Sequence, residues 1–551
     1  MTAVAGLDIG NSTTEVVLAR DRPGSGLTVL AADRIPARGP KGSAASLAAA
    51  AALVRRLERS CGERATLAFA APLRPVTTST ALAEPPAAAG RVRIVWADAA
   101  TTAGDGIAVG PMVPLRAAAT ASAARPAVVV VPADTGYVAA AAALRPLVQA
   151  GRVGAVLLER DEAVLLANRL GDPDLPVVDE VAANRLDGAA LVAVERRPAG
   201  CLVRRLCDPI FLADALGLSP DDQADAAVVS RRLQDAHAAV VAAVPAAAPV
   251  PPWTSGQVET ADGGRVPLDS ASDLPVGQAR VYVLGDGVRH AVDDIFAVSL
   301  ERLGAELSSR PRSLGSRGVA YAALRAGDRV DPRPGLEQRL GIEVRLVPSE
   351  GTAARSGALA TPGVRADAIV LDLGGGTIDV ITGREEVVAA GGGDLLTVIV
   401  AALLGTSRSA AEWAKRGPSR RLEAPQLLMT EDGGRVFLDT AASADLVGML
   451  VAPGPAGLLP FDRAHAPAEW RALRLRAKSL VLGHNAARAL RGAGARPRQA
   501  VLVGGPAGDD EALAAVAAAL PATTAVGRGD VAGLGHRYAV AFGLIRHGLQ
   551  A

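Results

Sequence analysis

Apolar and polar positions alternate in short blocks from the first residues onward. Residues 4–9 and 14–20 are apolar runs on either side of a small polar turn, and LTVLAADRI (27–35) repeats the strand pattern. SAASLAAAAALVRRLERSC (43–61) has helical composition and ends in basic residues, which suit a helix C-terminus. TLAFAAP (66–72) returns to strand, so the chain opens as an α/β unit. From about 90 to 245 the pattern changes. AVVVVPA (127–133) and VGAVLLE (153–159) read as short buried strands, with a helix over TGYVAAAAALRPLVQAG (135–151) between them. Strand, helix, strand implies a parallel pair with a right-handed crossover. This segment reads as an inserted domain, with the Ala/Pro-rich AAVPAAAPVPPW (242–253) as its exit linker.

Beyond 255 the α/β alternation resumes. VRHAVDDIFAVSLERLGAEL (288–307) predicts an amphipathic helix, and ADAIVLDLGGGTIDVITG (366–383) a second strand–turn–strand. AEWRALRLRAKSLVLGHNAARALRG (468–492) predicts a long helix, and PRQAVLVGGPAGDDEALAAVAAAL (497–520) a strand, a glycine turn and a helix. No repeat of solenoid length is visible.

Composition narrows the classes. A chain of 551 residues implies roughly three to four structural units. Half the residues are hydrophobic but only 3% aromatic, so the cores are built from small aliphatic side chains. With 58 basic and 57 acidic residues the net charge is +1, which gives no electrostatic grip on nucleic acid or an anionic membrane. Cys61, Cys201 and Cys207 are too few and too scattered for a disulfide framework or an iron–sulfur cluster. Arg or Pro interrupts every apolar run, and no signal peptide opens the chain, so a soluble cytoplasmic protein is expected.

The candidate chemistry lies in two related stretches. LDIGNSTTEVVL (7–18) and LDLGGGTIDVIT (371–382) each carry Leu-Asp-x-Gly, a few small residues, an acid and a β-branched run. Either alone is compatible with an ordinary hairpin. Two copies, far apart and each between apolar strands, read as a pair of phosphate loops. Glycines let backbone approach phosphate, while hydroxyls and N–H groups donate hydrogen bonds. Asp8 and Asp372, at the strand ends, can orient hydrated Mg²⁺. Gly374, Gly375, Gly376 and Thr377 form the second loop. In VLVGGPAGDDEAL (501–513), Gly504 and Gly505 bring backbone against a nucleoside, or else simply make a tight turn. In AEWAKRG (411–417), Glu412 and Lys415 share a helix face, where they can hold ribose or adenine, or form a solvated ion pair. No GxxxxGK[ST], GxGxxG or Gly-x-Ser-x-Gly element is present.

The two Asp-x-Gly loops and the late Gly-Gly turn resemble the ATPase superfamily of actin, sugar kinases and heat-shock chaperones. More closely, MTAVAGLDIGNSTTEVVLA, VLLERDEAVLLANRL (156–170), PVVDEV (176–181), LDLGGGTIDV, GGGDLLTVIV (391–400) and GHRYAVAFGLI (535–545) resemble the large subunit of diol or glycerol dehydratase reactivase. RDEAVLLANRL followed by PVVDE, in the insert, sets that family apart from the kinases and chaperones. The resemblance implies an α/β fold, an actin-like (ribonuclease H-like) two-lobed ATPase core over 1–90 and 251–551, and an inserted swivelling domain over 91–250. It implies a chaperone-like ATPase, of slow turnover, that uses ATP/ADP and Mg²⁺. Its expected partners are a small reactivase subunit and a B12-dependent dehydratase, in a hetero-oligomer from which damaged cobalamin is released. Carried over by position, Asn11, Ser12 and Thr13 form the first phosphate loop; Glu412 and Lys415 clamp adenosine; Gly505, Pro506 and Arg537 lie near the nucleotide. Thr102, Asp161 and Asp179 correspond to the family's metal site in the insert, whose hard oxygen ligands suit Mg²⁺ or Ca²⁺. Pro506 stands where the family usually has a hydroxyl residue, so one hydrogen bond to nucleotide is expected to be lost. The stretch 305–345 is shorter than in the family. A reactivase for another corrinoid enzyme, such as ethanolamine ammonia-lyase, and a sugar-kinase-type enzyme are the alternative expectations.

Overall fold

The computed structural model describes residues 2–22, 26–83, 91–97, 102–121, 124–198, 201–219, 222–233, 236–244, 255–284, 287–305, 318–454 and 457–550. Two five-stranded sheets share one topology. In the first, Thr2–Ile9, Thr13–Arg22 and Gly26–Pro36 form an antiparallel meander, and Ala65–Ala70 and Glu343–Leu346 extend it in parallel from the opposite side of the first strand. In the second, Ile369–Leu373, Thr377–Ile381 and Glu386–Ala390 form the meander, and Gln499–Val503 and Ala525–Arg528 extend it. The strand order 3-2-1-4-5 occurs twice. The registers match as well: Asp8 lies opposite Glu15, and Asp372 opposite Asp379. The core is therefore duplicated, with an Asp-x-Gly stretch at the same place in each half, in keeping with the actin-like fold that the resemblance implies.

The lobes meet through small residues. Helices Glu350–Ala358 and Ala539–Gln550 pack together against both sheets, in a core with Val4, Val17 and Phe69 from one sheet and Val370, Val501 and Val503 from the other. A Cβ on Gly357 would lie 1.9 Å from the Ala539 carbonyl oxygen, and one on Gly543 would lie 1.8 Å from that of Ala353. Only glycine permits this approach. Helix Ala44–Cys61 covers the outer face of the first sheet; Ser43 caps its N-terminus and Gly62, in the left-handed region, ends it.

In the middle of the chain, Ala127–Val131 and Val153–Leu158 are parallel neighbours joined through helix Tyr137–Gln149, as expected. A second sheet, of Val92–Ala97, Ala238–Ala243, Leu191–Arg196 and Gly106–Gly110, packs against them. Of the expected linker, Ala242 and Ala243 end a strand, and residues 245–254 lie outside the described residues.

One element differs outright from the sequence reading. The stretch 288–307 is not one helix: Arg289–Ala291 and Asp294–Ser299 are strands, and among its described residues, which end at 305, only Leu300–Ala305 is helical. Asp294–Ser299 pairs along its whole length with Val319–Ala326, a strand with six buried residues, and that pairing overrides the helical periodicity. The 468–492 helix forms as Pro467–Lys478 and Asn485–Gly492 joined by a π-helical segment, Ser479–His484. The structure also exposes a repeat. TADGGRVPLDS (260–270) and TEDGGRVFLDT (430–440) make the same hairpin turn, with Thr260 and Thr430 hydroxyls donating to the Gly264 and Gly434 carbonyls at 3.1 and 3.0 Å. No single helix among the described residues is long and apolar enough to cross a membrane.

Candidate nucleotide site

The duplicated hairpins face each other across a cleft of about 1040 Å³. Each turn closes the same way: the Gly10 N–H donates to the Thr13 carbonyl at 2.9 Å, and the Gly374 N–H to that of Thr377 at 2.9 Å. The two loops nearly touch, because a Cβ on Gly375 would lie 3.0 Å from Ser12 Oγ. Asp8, Asn11, Ser12, Thr13, Asp372, Gly374, Gly375, Gly376, Thr377, Glu412, Lys415, Gly504, Gly505, Pro506 and Arg537 all line the cleft. Five separate stretches of sequence therefore converge on one site.

Its floor is acidic. Burial, aided by Glu350 and Glu15, holds Asp8 well above the usual carboxylate range. Burial and neighbouring Glu350 and Glu386 push Asp372 to about 6. Burial lifts Glu15 to about 7 and holds Asp379 well above the usual range. Against these acids stands Lys41, itself buried, whose Nζ donates to Glu350 Oε2 at 2.7 Å. Such a surplus of buried carboxylates favours either protons or a multivalent cation. Among the described residues no three His, Cys, Asp or Glu side chains converge to hold a metal by themselves. The carboxylate oxygens of Asp8 and Asp372 are hard donors, the class that Mg²⁺ takes.

The far end of the cleft carries charges of both signs, among them Glu412, Lys415, Arg416, Asp509 and Arg537. Lys415 Nζ donates to the Gly393 carbonyl at 2.9 Å, Thr397 Oγ1 at 2.7 Å and Glu412 Oε2 at 2.5 Å. These contacts fix the Glu412–Lys415 pair as one wall. The opposite wall is Gly504–Pro506, where Gly504 has φ +87° and a Cβ would fall 2.4 Å from Asp372 Oδ1. Beside Arg537, His536 is held near 4 by burial and the adjacent guanidinium groups, so its ring is neutral.

Sequence reasoning noticed Glu15 and Asp379 only as the acids that follow each loop. It missed Lys41, which lines the cleft from the segment before Ala44–Cys61, and its partner Glu350, at the start of Glu350–Ala358, whose charge acts on Asp8 and Asp372. The sequence signal for Glu350 was a Ser349 N-cap followed by an acid at the first helical position.

The insert residues also come together. Asp179 is fully buried, accepts from the Ala163 N–H at 3.1 Å, and leaves Oδ1 without a partner. Burial and the nearby Asp161 carboxylate raise it to about 6. Thr102 lies opposite Val178 in the adjacent strand, and its hydroxyl accepts from Arg196 Nε at 3.2 Å. A partnerless buried carboxylate oxygen beside a second carboxylate fits a hard cation.

Known proteins match both halves of this arrangement. Residues 93–248 match the DD-reactivating factor swiveling domain, and residues 318–548 match the diol dehydratase reactivase ATPase-like domain. The diol dehydratase-reactivating factor large subunit of Klebsiella michiganensis is 28% identical, over 99% of this chain and 98% of that protein. The propanediol dehydratase-reactivating factor large subunit of Citrobacter freundii is 29% identical over the same shares. This chain belongs to the diol dehydratase reactivase family. Solved structures of diol dehydratase-reactivating factor in nucleotide-free form and of glycerol dehydratase reactivase align with this reactivase-family chain over 100% of both partners. Their TM-scores are 0.59 and 0.59, at 27% and 26% identity. The family match thus spans the insert as well as the core.

Proposed function

We infer that this chain is the large subunit of an ATP-dependent reactivating factor, which frees an inactivated adenosylcobalamin-dependent diol or glycerol dehydratase of damaged cobalamin. The observation that carries the reading is the likeness over 99% of the chain to reactivating-factor large subunits, insert included. In this reading the chain divides into core segments 1–90 and 251–551 and a swivelling insert 91–250. Asn11, Ser12, Thr13, Gly374, Gly375, Gly376 and Thr377 bind the phosphates of ATP or ADP. Glu412, Lys415, Gly504, Gly505, Pro506 and Arg537 border the nucleoside. Pro506 brings no hydroxyl to that wall, so backbone and Arg537 make the contacts there.

Asp8 and Asp372 hold the water shell of Mg²⁺ and orient the attacking water. Bound Mg²⁺ supplies charge neutralisation at the phosphates. Lys41 lines the cleft and holds the Glu350 carboxylate by a hydrogen bond at 2.7 Å. Nucleotide acts here as a switch between binding states, so slow turnover follows. Thr102, Asp161 and Asp179 hold Mg²⁺ or Ca²⁺ in the insert, where the ion helps seat a small subunit. That subunit is exchanged for the dehydratase when ADP gives way to ATP. The test is size-exclusion of this chain with its candidate small subunit. Co-elution in ADP and separation in ATP with client present support the reading; identical elution in both nucleotides contradicts it.

A further inference from the structure

Behind the nucleoside end of the cleft lies a buried ion network. Arg474 and Lys478, both 0% exposed, project from helix Pro467–Lys478. Arg474 grips two carboxylates in forked pairs: Glu431 at 2.7 and 2.9 Å, and Glu511 at 2.7 and 2.9 Å. Lys478 Nζ donates to Asp509 at 2.5 Å and Glu511 at 2.6 Å.

The network ends on both walls of the cleft. On one side Glu431 Oε1 accepts the Ser419 N–H at 2.6 Å and hydroxyl at 2.8 Å, just past the Glu412–Lys415 wall. Gly417, between them, lies against Arg474: a Cβ there would fall 2.5 Å from Nε. On the other side Asp509, which itself lines the cleft, donates its N–H to the Pro506 carbonyl at 3.0 Å. Gly393 sits where the walls come closest; its Cβ would be 3.3 Å from Pro506 and 3.7 Å from Lys415 Nζ.

Buried ion pairs are poor stabilisers, because desolvation offsets most of their attraction, and well-packed apolar side chains often do as well. What they supply is fixed geometry. The internal repeat points the same way. Neither copy lines the cleft itself, but only the copy at 430–440 packs against Arg474 and Ser419, and it has Glu431 where the copy at 260–270 has Ala261.

We propose that Glu431, Arg474 and Lys478 are positioning residues for the nucleotide, which hold the Glu412–Lys415 and Gly504–Pro506 walls at a fixed separation. The inference rests on the nucleotide reading given above. The experiment is titration of the full chain with ADP, and ATPase kinetics, for Glu431→Gln and Lys478→Met. The expected result is a Kd for ADP and a KM for ATP raised roughly tenfold, with kcat changed by less than about twofold and an unchanged far-ultraviolet spectrum. Ser419→Ala removes one hydroxyl donor and leaves every charge in place. It is expected to fold and to raise both constants by roughly threefold. Tight ADP binding by the unsubstituted chain, with unchanged Kd in Ser419→Ala and in whichever charge variant folds, overturns this inference alone. So does a fall in kcat at constant KM. No ADP binding by the unsubstituted chain overturns the nucleotide reading and this inference with it.

Discussion

At the scale of single residues, the cleft holds more carboxylates than it can keep ionised alone. Asp8 is the clearest case, raised by burial and by Glu350 and Glu15. Its carboxylate does little for the fold, so Asp8→Asn should abolish ATP hydrolysis and leave the melting temperature the same or higher; calorimetry beside a phosphate-release assay checks both. Gly504 makes the converse argument. With φ +87° and Asp372 Oδ1 where a Cβ would go, Gly504→Ala should cost roughly 1–3 kcal/mol in denaturant unfolding. Asp8 and Asp372 were legible in the sequence, because the same Leu-Asp-x-Gly appears twice before small residues. Lys41 and Glu350 were not. Their pairing joins segments far apart in the chain, and only the sheet order brings them together.

At the scale of elements, two acids make opposite predictions about pH. Asp179 has its folded value raised to about 6 from an ordinary 3.8, so the folded insert holds a proton that the unfolded chain releases. Without a bound cation, stability should therefore fall as pH rises through that window. Asp179→Asn should remove this fall, and should also remove any rise in melting temperature on adding Mg²⁺ or Ca²⁺ at neutral pH. Glu511 is the reverse. Arg474 and Lys478 outweigh its burial and lower it to about 2 from 4.5. Its contribution is present above 4.5 and lost as pH falls toward 2, so Glu511→Gln should flatten the acid limb of a stability–pH profile. Elements whose pattern agreed with their neighbours, such as Ala44–Cys61 and the hairpins, were readable from the chain. The stretch 288–307 was not, because DIFAVS satisfies a helical stripe as well as a strand until its partner Val319–Ala326 is known. The repeated DGGRV turn was visible in the sequence all along, but as a turn it carried no chemistry until Glu431 was seen against Arg474.

At the scale of the molecule, the account joins a duplicated core to an insert through one switch. Nucleotide bound between the lobes would set their relation, and the insert would pass that state to a partner subunit. The most direct test is to mix this chain and its candidate small subunit with a glycerol-inactivated diol dehydratase carrying cyanocobalamin. ATP, Mg²⁺ and free adenosylcobalamin are present, and cobalamin release and regained activity are followed together. The account predicts release and recovery that require ATP and fail with Asp8→Asn. Release that proceeds equally without ATP, or ATP hydrolysis with no release, would contradict it.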